Sequence, residues 1–141
     1  MIKYFDQFYM TDEIDVILKK CEEVTDLLKN AYWAKDRDYV TMHTAIQNSI
    51  NYAIFEKKSN RLAGFARVVT DYSTIYYLCD VFIAEEYRGM GLGTALVEWI
   101  VCKEEKLRGI NGLLKTRDVK SLYERYGFEE CKAICMMKSI V

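Results

Sequence analysis

Three of the chain's seven glycines, Gly89, Gly91 and Gly93, fall within five residues, directly after an apolar run. The segment reads Val81-Phe82-Ile83-Ala84-Glu85-Glu86-Tyr87-Arg88-Gly89-Met90-Gly91-Leu92-Gly93-Thr94. A strand runs into a glycine turn, and the turn opens a helical pattern. Glycine lets backbone N–H groups approach an anion with no Cβ in the way. The first turn of a helix adds unpaired N–H donors and a partial positive charge. Arg88 adds a fixed cation, so the chemistry on offer is phosphate binding. The spacing is Gly-x-Gly-x-Gly, which fails the Gly-x-Gly-x-x-Gly dinucleotide fingerprint. No Gly-Lys-Ser/Thr follows, so a nucleoside-triphosphate loop fails as well.

Asp80 is the second candidate. It is the only charged residue in Tyr76-Tyr77-Leu78-Cys79-Asp80-Val81-Phe82-Ile83. Regular alternation puts it on the face of Tyr76, Leu78 and Phe82. If Asp71 pairs with Thr74 across a hairpin, Arg67 falls opposite Leu78 and diagonal to Asp80, at roughly 7–8 Å. A slip of one residue would separate the two faces. An Arg67 partner would keep Asp80 ionised and lower its pKa, making it a poor base but a good anchor for a cation. Asp80 is therefore either a general base or an ion-pair partner, and the two roles stay open at this level.

These residues need a frame. Residues 2–9 read as a strand rich in Tyr, Phe and Ile. Helical spacing begins near Asp15, and Tyr39–Asn48 forms a second helical stretch. Tyr52–Lys57 alternates as a strand. Leu62–Thr70 and Thr74–Ile83 predict a long antiparallel hairpin. Gly91 to about Lys106 is the strongest helix, apolar nearly all round and so deeply buried. A strand at Leu113–Thr116 follows, then a helix over 119–126 with Asp118 as N-cap and Gly127 beyond its end. Phe128 to about Ser139 reads as a last β region. The class is α/β: a mixed central sheet with a long antiparallel hairpin followed by a strand–helix–strand unit.

Arg88-x-x-Gly91-x-Gly93 after an apolar strand resembles the pyrophosphate motif (Gln/Arg)-x-x-Gly-x-(Gly/Ala) of the GNAT superfamily of N-acetyltransferases. Leu122-Tyr123-Glu124-Arg125-Tyr126-Gly127-Phe128 resembles the Leu-Tyr-x-x-x-Gly-Phe of its last helix. The resemblance is closest over residues 50–130. This chain has Glu85 where many members carry Pro, and Thr116 and Val119 where many carry Asn and Ala. Thr116-Arg117-Asp118 and Gly64–Asp71 are similar to a subgroup of small bacterial members.

The resemblance implies acetyl-CoA as cosubstrate and a small-molecule amine as acceptor. It implies that Val81, Phe82 and Ile83 hold the pantetheine arm, and that Arg88, Gly89, Met90, Gly91, Leu92, Gly93 and Thr94 cradle the pyrophosphate. Tyr123 matches the family's general acid. A phenol with an ordinary pKa of ~10 stays protonated at pH 7 and can give its proton to a thiolate. Relatives build the acceptor pocket after the first helical stretch, where this chain has Tyr32, Trp33 and Arg37, and Arg67 adjoins Asp80. A GNAT-like module that binds an acyl-CoA without chemistry is the alternative.

The 141 residues fit one domain, 1–141. A net charge of −1 offers no basic surface for nucleic acid or lipid. No apolar run approaches the roughly 18–20 residues that span a bilayer, and Met1–Asp6 lacks a signal peptide's apolar core. Five irregularly spaced cysteines, with His43 the lone histidine, read as reduced thiols with no metal site, and so as cytoplasmic. A homodimer is left open.

Overall fold

A computed structural model describes residues 1–140. One six-stranded sheet carries the fold: β1 (Ile2–Phe5), β2 (Phe8–Thr11), β3 (Ile50–Glu56), β4 (Leu62–Thr70), β5 (Ile75–Ile83) and β6 (Asn111–Leu113). The strands lie side by side in chain order. β1 to β5 pair antiparallel, and β6 joins β5 in parallel. Helices α1 (Ile14–Lys19), α2 (Cys21–Leu28) and α3 (Tyr39–Gln47) connect β2 to β3. Helix α4 (Leu92–Glu98) connects β5 to β6, and α5 (Lys120–Glu124) follows β6. The architecture is the mixed α/β sheet that the sequence implies, with the β4–β5 hairpin leading into the β5–α4–β6 unit.

Two apolar cores sandwich the sheet. Val24, Leu28, Met42 and Ile46 of the first helices meet Ala53, Phe55 and Phe65 on one face. Leu92, Leu96, Val97 and Ile100 meet Tyr52, Ile54, Ala66 and Val68 on the other. β3 is thus covered on both faces, so its alternation carries little polarity.

Several elements depart from the sequence reading. The first strand is a hairpin of two, turned at Asp6, whose φ is +48°. The first helix breaks at Lys20 into α1 and α2. The long helix narrows to α4 and then widens into a π turn over Trp99–Lys103. It stops at Glu104, whose carboxylate accepts the Tyr52 hydroxyl (2.7 Å) and caps the next turn through Lys106 N–H (3.2 Å). β6 sits earlier than the predicted 113–116, because Gly112 pairs with Tyr76 and a Cβ there would overlap the tyrosine ring. Asp118 is not the cap of α5; Thr116 Oγ1 accepts the Val119 N–H instead (3.3 Å). Phe128 folds back onto Tyr123, and no strand follows it among the described residues.

Candidate active site

β5 and β6 stay paired only from Ile75/Asn111 to Tyr77/Leu113. Beyond that point β5 continues to Ile83 while the chain after β6 turns away toward α5. The parted strands wall a cavity of about 430 Å³. One wall is Tyr77–Val81, the other Lys115–Val119, and Tyr123 of α5 lies between them. Tyr32, Trp33 and Arg37, from the link between α2 and α3, close the remaining side. The edge of β5 that faces the gap has lost its partner strand, so its backbone groups there are free to bind an extended ligand.

The glycine turn lies at the end of that edge. A single 3₁₀ turn, Glu85–Tyr87, carries the chain from β5 to Arg88. Gly89 and Gly91 take left-handed backbone conformations, φ +80° and +79°, which a residue with a Cβ resists. Gly91 caps α4, and its carbonyl accepts the first helical bond, from Ala95 N–H (3.0 Å). The N–H groups of Leu92, Gly93 and Thr94 find no acceptor among the described residues and point along the helix axis. Arg88 is tethered beside them: its Nε donates to the Ile83 carbonyl (3.1 Å) and its guanidinium packs on the Phe82 ring. Donors, dipole and cation meet as an anion site must, and the residues fit the pyrophosphate of a coenzyme A.

Asp80 is held harder than sequence alternation allows. The hairpin register pairs Arg67 with Cys79, one residue away from the expected Leu78. That slip should have separated Arg67 from Asp80. A β-bulge between Phe65 and Arg67 reverses the outcome, because Asp80 adopts φ +54° and swings to Arg67's face. Asp80 therefore leaves the face of Tyr76 and Leu78, which pack on the α4 side. Its Oδ2 accepts Arg67 Nε (2.8 Å) and Arg37 Nη1 (2.7 Å), and its Oδ1 accepts the Trp33 indole N–H (3.0 Å). Burial alone would raise its pKa, but the two guanidiniums outweigh burial and hold the carboxyl below the ordinary range.

The Asp80 side chain is 0% exposed and both of its oxygens are taken. Of the two roles open for Asp80, base or ion-pair partner, the ion pair is the one whose partners are seen here. It braces the pocket. Arg67 donates to Asp80 and Ser49 and is not among the residues that line the cavity. Tyr32 and Trp33 do line the cavity, in edge-to-face contact with one another (5.0 Å).

Tyr123 is buried and packs edge-on against Phe128 (6.2 Å). Burial raises its pKa, so the phenol stays protonated across the neutral range. Its hydroxyl has no hydrogen-bond partner among the described residues. Arg37, Lys115 and Arg117 also line the cavity. Lys115 and Arg117 were not legible as site residues, because they stand in a loop with no periodic pattern. No group of three or more His, Cys, Asp or Glu that could hold a metal is found among the described residues. No helix there is long and apolar enough to cross a membrane.

The parted strands, the glycine turn and the central tyrosine form a candidate site for an acyl-CoA. A family model described as an acetyltransferase (GNAT) domain matches residues 47–130, more than half of the chain, and the protein belongs to that family. A solved structure described as a putative acetyltransferase of the GNAT family from Xanthomonas campestris pv. campestris is 30% identical. It superposes with a TM-score of 0.73 over 92% of this chain and 89% of its own. An uncharacterised N-acetyltransferase, ycf52, of Pyropia yezoensis is 27% identical over 88% of this chain and 71% of its own. GCN5-related N-acetyltransferase 2, chloroplastic, of Arabidopsis thaliana is 27% identical over 91% of this chain. The chain spans about half of that relative's length, 50%. The protein is an acetyltransferase by family and fold.

Proposed function

We propose that this acetyltransferase transfers the acetyl group of acetyl-CoA to a primary amine of a small molecule, by direct attack on the thioester. One observation carries the reading: Tyr123 lines the cavity between the parted strands, whose β5 edge leads into the glycine turn. Acetyl-CoA, when bound, supplies an acetyl group activated as a thioester.

The residues divide the remaining work. Arg88 and the free N–H groups of Leu92, Gly93 and Thr94 hold the pyrophosphate. Backbone groups of Val81–Ile83 hold the extended arm and offer an N–H to the carbonyl oxygen as negative charge develops there. Tyr123 gives its proton to the departing sulfur. Burial helps by keeping the phenol neutral until that moment. The proton leaving the acceptor nitrogen restores it. Trp33 and Arg37, fixed by Asp80, and Tyr32, edge-on to Trp33, shape the acceptor side.

The test is thiol release from acetyl-CoA over a panel of primary amines, with Tyr123→Phe as comparison. The variant should keep acetyl-CoA affinity and lose roughly 10²–10⁴-fold in kcat, the usual size of general acid catalysis. Undiminished kcat in the variant returns Tyr123 to the core. Tight acetyl-CoA binding with no thiol release for any amine would make the protein a binding module.

A further inference from the structure

The cavity wall is richer in unpaired positive charge than in negative. Its lining holds three cations, Arg37, Lys115 and Arg117, against two carboxylates, Asp80 and Asp118. Asp80 is already spent on Arg37 and Arg67 and shows no side-chain surface. Cys79, also in the lining, is no anion either, since burial pushes its thiol up to about 11. Lys115 and Arg117 have no carboxylate within ion-pairing distance among the described residues. Asp118 alone remains as a free negative group.

Arg117 is nonetheless held in place. Its guanidinium lies over the face of Tyr32, 3.9 Å from the ring centre. Tyr32 stands edge-on to Trp33, and Trp33 is pinned by its hydrogen bond to Asp80. A guanidinium held over an aromatic face leaves N–H groups of its rim free to donate to a ligand. A planar, charged donor fixed at the cavity and lacking an anion is what a carboxylate or phosphate group requires.

Resting on the acetyltransferase reading above, we infer that the acceptor is an amine bearing an anionic group, a carboxylate or a phosphate, received by Arg117 and Lys115. The excess positive charge serves the reaction too. It disfavours the ammonium form of a nearby amine and so favours the neutral nucleophile. It also disfavours diamines and longer polyamines, whose second ammonium would meet Lys115 and Arg117 with only Asp118 to offset them.

Four small primary amines separate the cases: ethanolamine, O-phosphoethanolamine, β-alanine and 1,3-diaminopropane. Thiol release from acetyl-CoA gives kcat/KM for each. Calorimetric titration of each into the protein saturated with coenzyme A gives affinity without turnover. The phosphate or the carboxylate amine should exceed ethanolamine by roughly tenfold or more, the size of one charge-assisted hydrogen bond. Which of the two leads tells phosphate from carboxylate. Arg117→Ala should bring that ratio to within about threefold, and Arg117→Lys should retain part of it. Ethanolamine or the diamine binding as well as both anionic amines would overturn the inference. So would an Arg117→Ala protein that loses acetyl-CoA affinity while keeping the anionic preference. If no amine releases thiol, the transferase reading falls, and the calorimetric ranking still decides this one.

Discussion

Replacing Asp80 by Asn tests the brace under the acceptor pocket with little other disturbance. Asparagine tolerates the left-handed backbone at φ +54°, so the bulge itself survives. What changes is charge and donor pattern. The site presents an N–H from Trp33 at one carboxylate oxygen and two guanidiniums at the other. An amide has one oxygen and one NH₂, so either orientation sets a donor against a donor. Removing one partner of a buried pair costs about 3–5 kcal/mol. The Arg37 side chain is 27% exposed and can turn to water, whereas Arg67 is only 13% exposed. The loss should therefore fall near the lower end, about 3 kcal/mol. Asp80→Ala should cost roughly 1–2 kcal/mol more, since alanine also resists the positive φ.

The pH dependence follows from the lowered carboxyl pKa. A depressed folded-state pKa contributes stability that is present above the unfolded value of ~3.9 and is lost as pH falls through the folded value. The gap between wild type and Asp80→Asn should be full at pH 7, begin to narrow at pH ~4 and close only as pH falls through the lower folded value. Urea unfolding followed by far-ultraviolet circular dichroism reads both quantities. Adding Arg67→Met to Asp80→Asn should recover part of the loss, with a coupling of roughly 1–3 kcal/mol. Equal urea midpoints for wild type and Asp80→Asn at pH 7 would refute the reasoning.

Three further outcomes follow. Gly91→Val, which forces a β-branched residue to φ +79°, should weaken acetyl-CoA binding at least about tenfold in a protein that remains folded; unchanged affinity by calorimetry would remove the turn from the cofactor site. Burial raises the Tyr123 phenol, so any Tyr123-dependent fall in kcat should lie above pH ~10; a fall centred near pH 8, absent from Tyr123→Phe, would contradict that placement. Gly112→Val would drive a side chain into the Tyr76 ring, costing about 1–3 kcal/mol in thermal or urea unfolding and loosening the β5–β6 seam; a neutral result would show that the seam can shift.

The glycine turn, the β4–β5 hairpin and the position of Tyr123 were readable because each rests on a local pattern: glycine spacing, alternation, or a short motif. The Arg67–Asp80 contact was foreseen from an incorrect register. Its true basis is a bulge at a non-glycine residue, and nothing in Leu78-Cys79-Asp80-Val81 marks such a kink. That Arg37 and Trp33 share the same carboxylate depends on how the α2–α3 link lies over the sheet, a long-range fact that no spacing encodes. β6 was misplaced because its pairing is chosen by Gly112 against Tyr76, two residues 36 positions apart in number but adjacent in space. The Phe128–Ser139 segment has strand-forming residues, yet composition cannot say whether a partner edge is available.

The sheet's spatial order equals its order in the chain, β1 through β6. From β1 to β5, each new strand therefore finds its neighbour already in place as the chain leaves the ribosome, and domains tend to form from the N-terminal end during synthesis. The cavity does not share this convenience. Its walls need residues near 32–37 to dock on Asp80, and residues 115–123 and Met137 arrive last. Amides of β3, β4 and β5 should gain exchange protection in refolding before those of β6, and simultaneous protection would speak against this sequence of events. The scaffold is thus assembled strand by strand ahead of its chemistry, and a nascent chain is a nearly complete sheet before it holds a pocket.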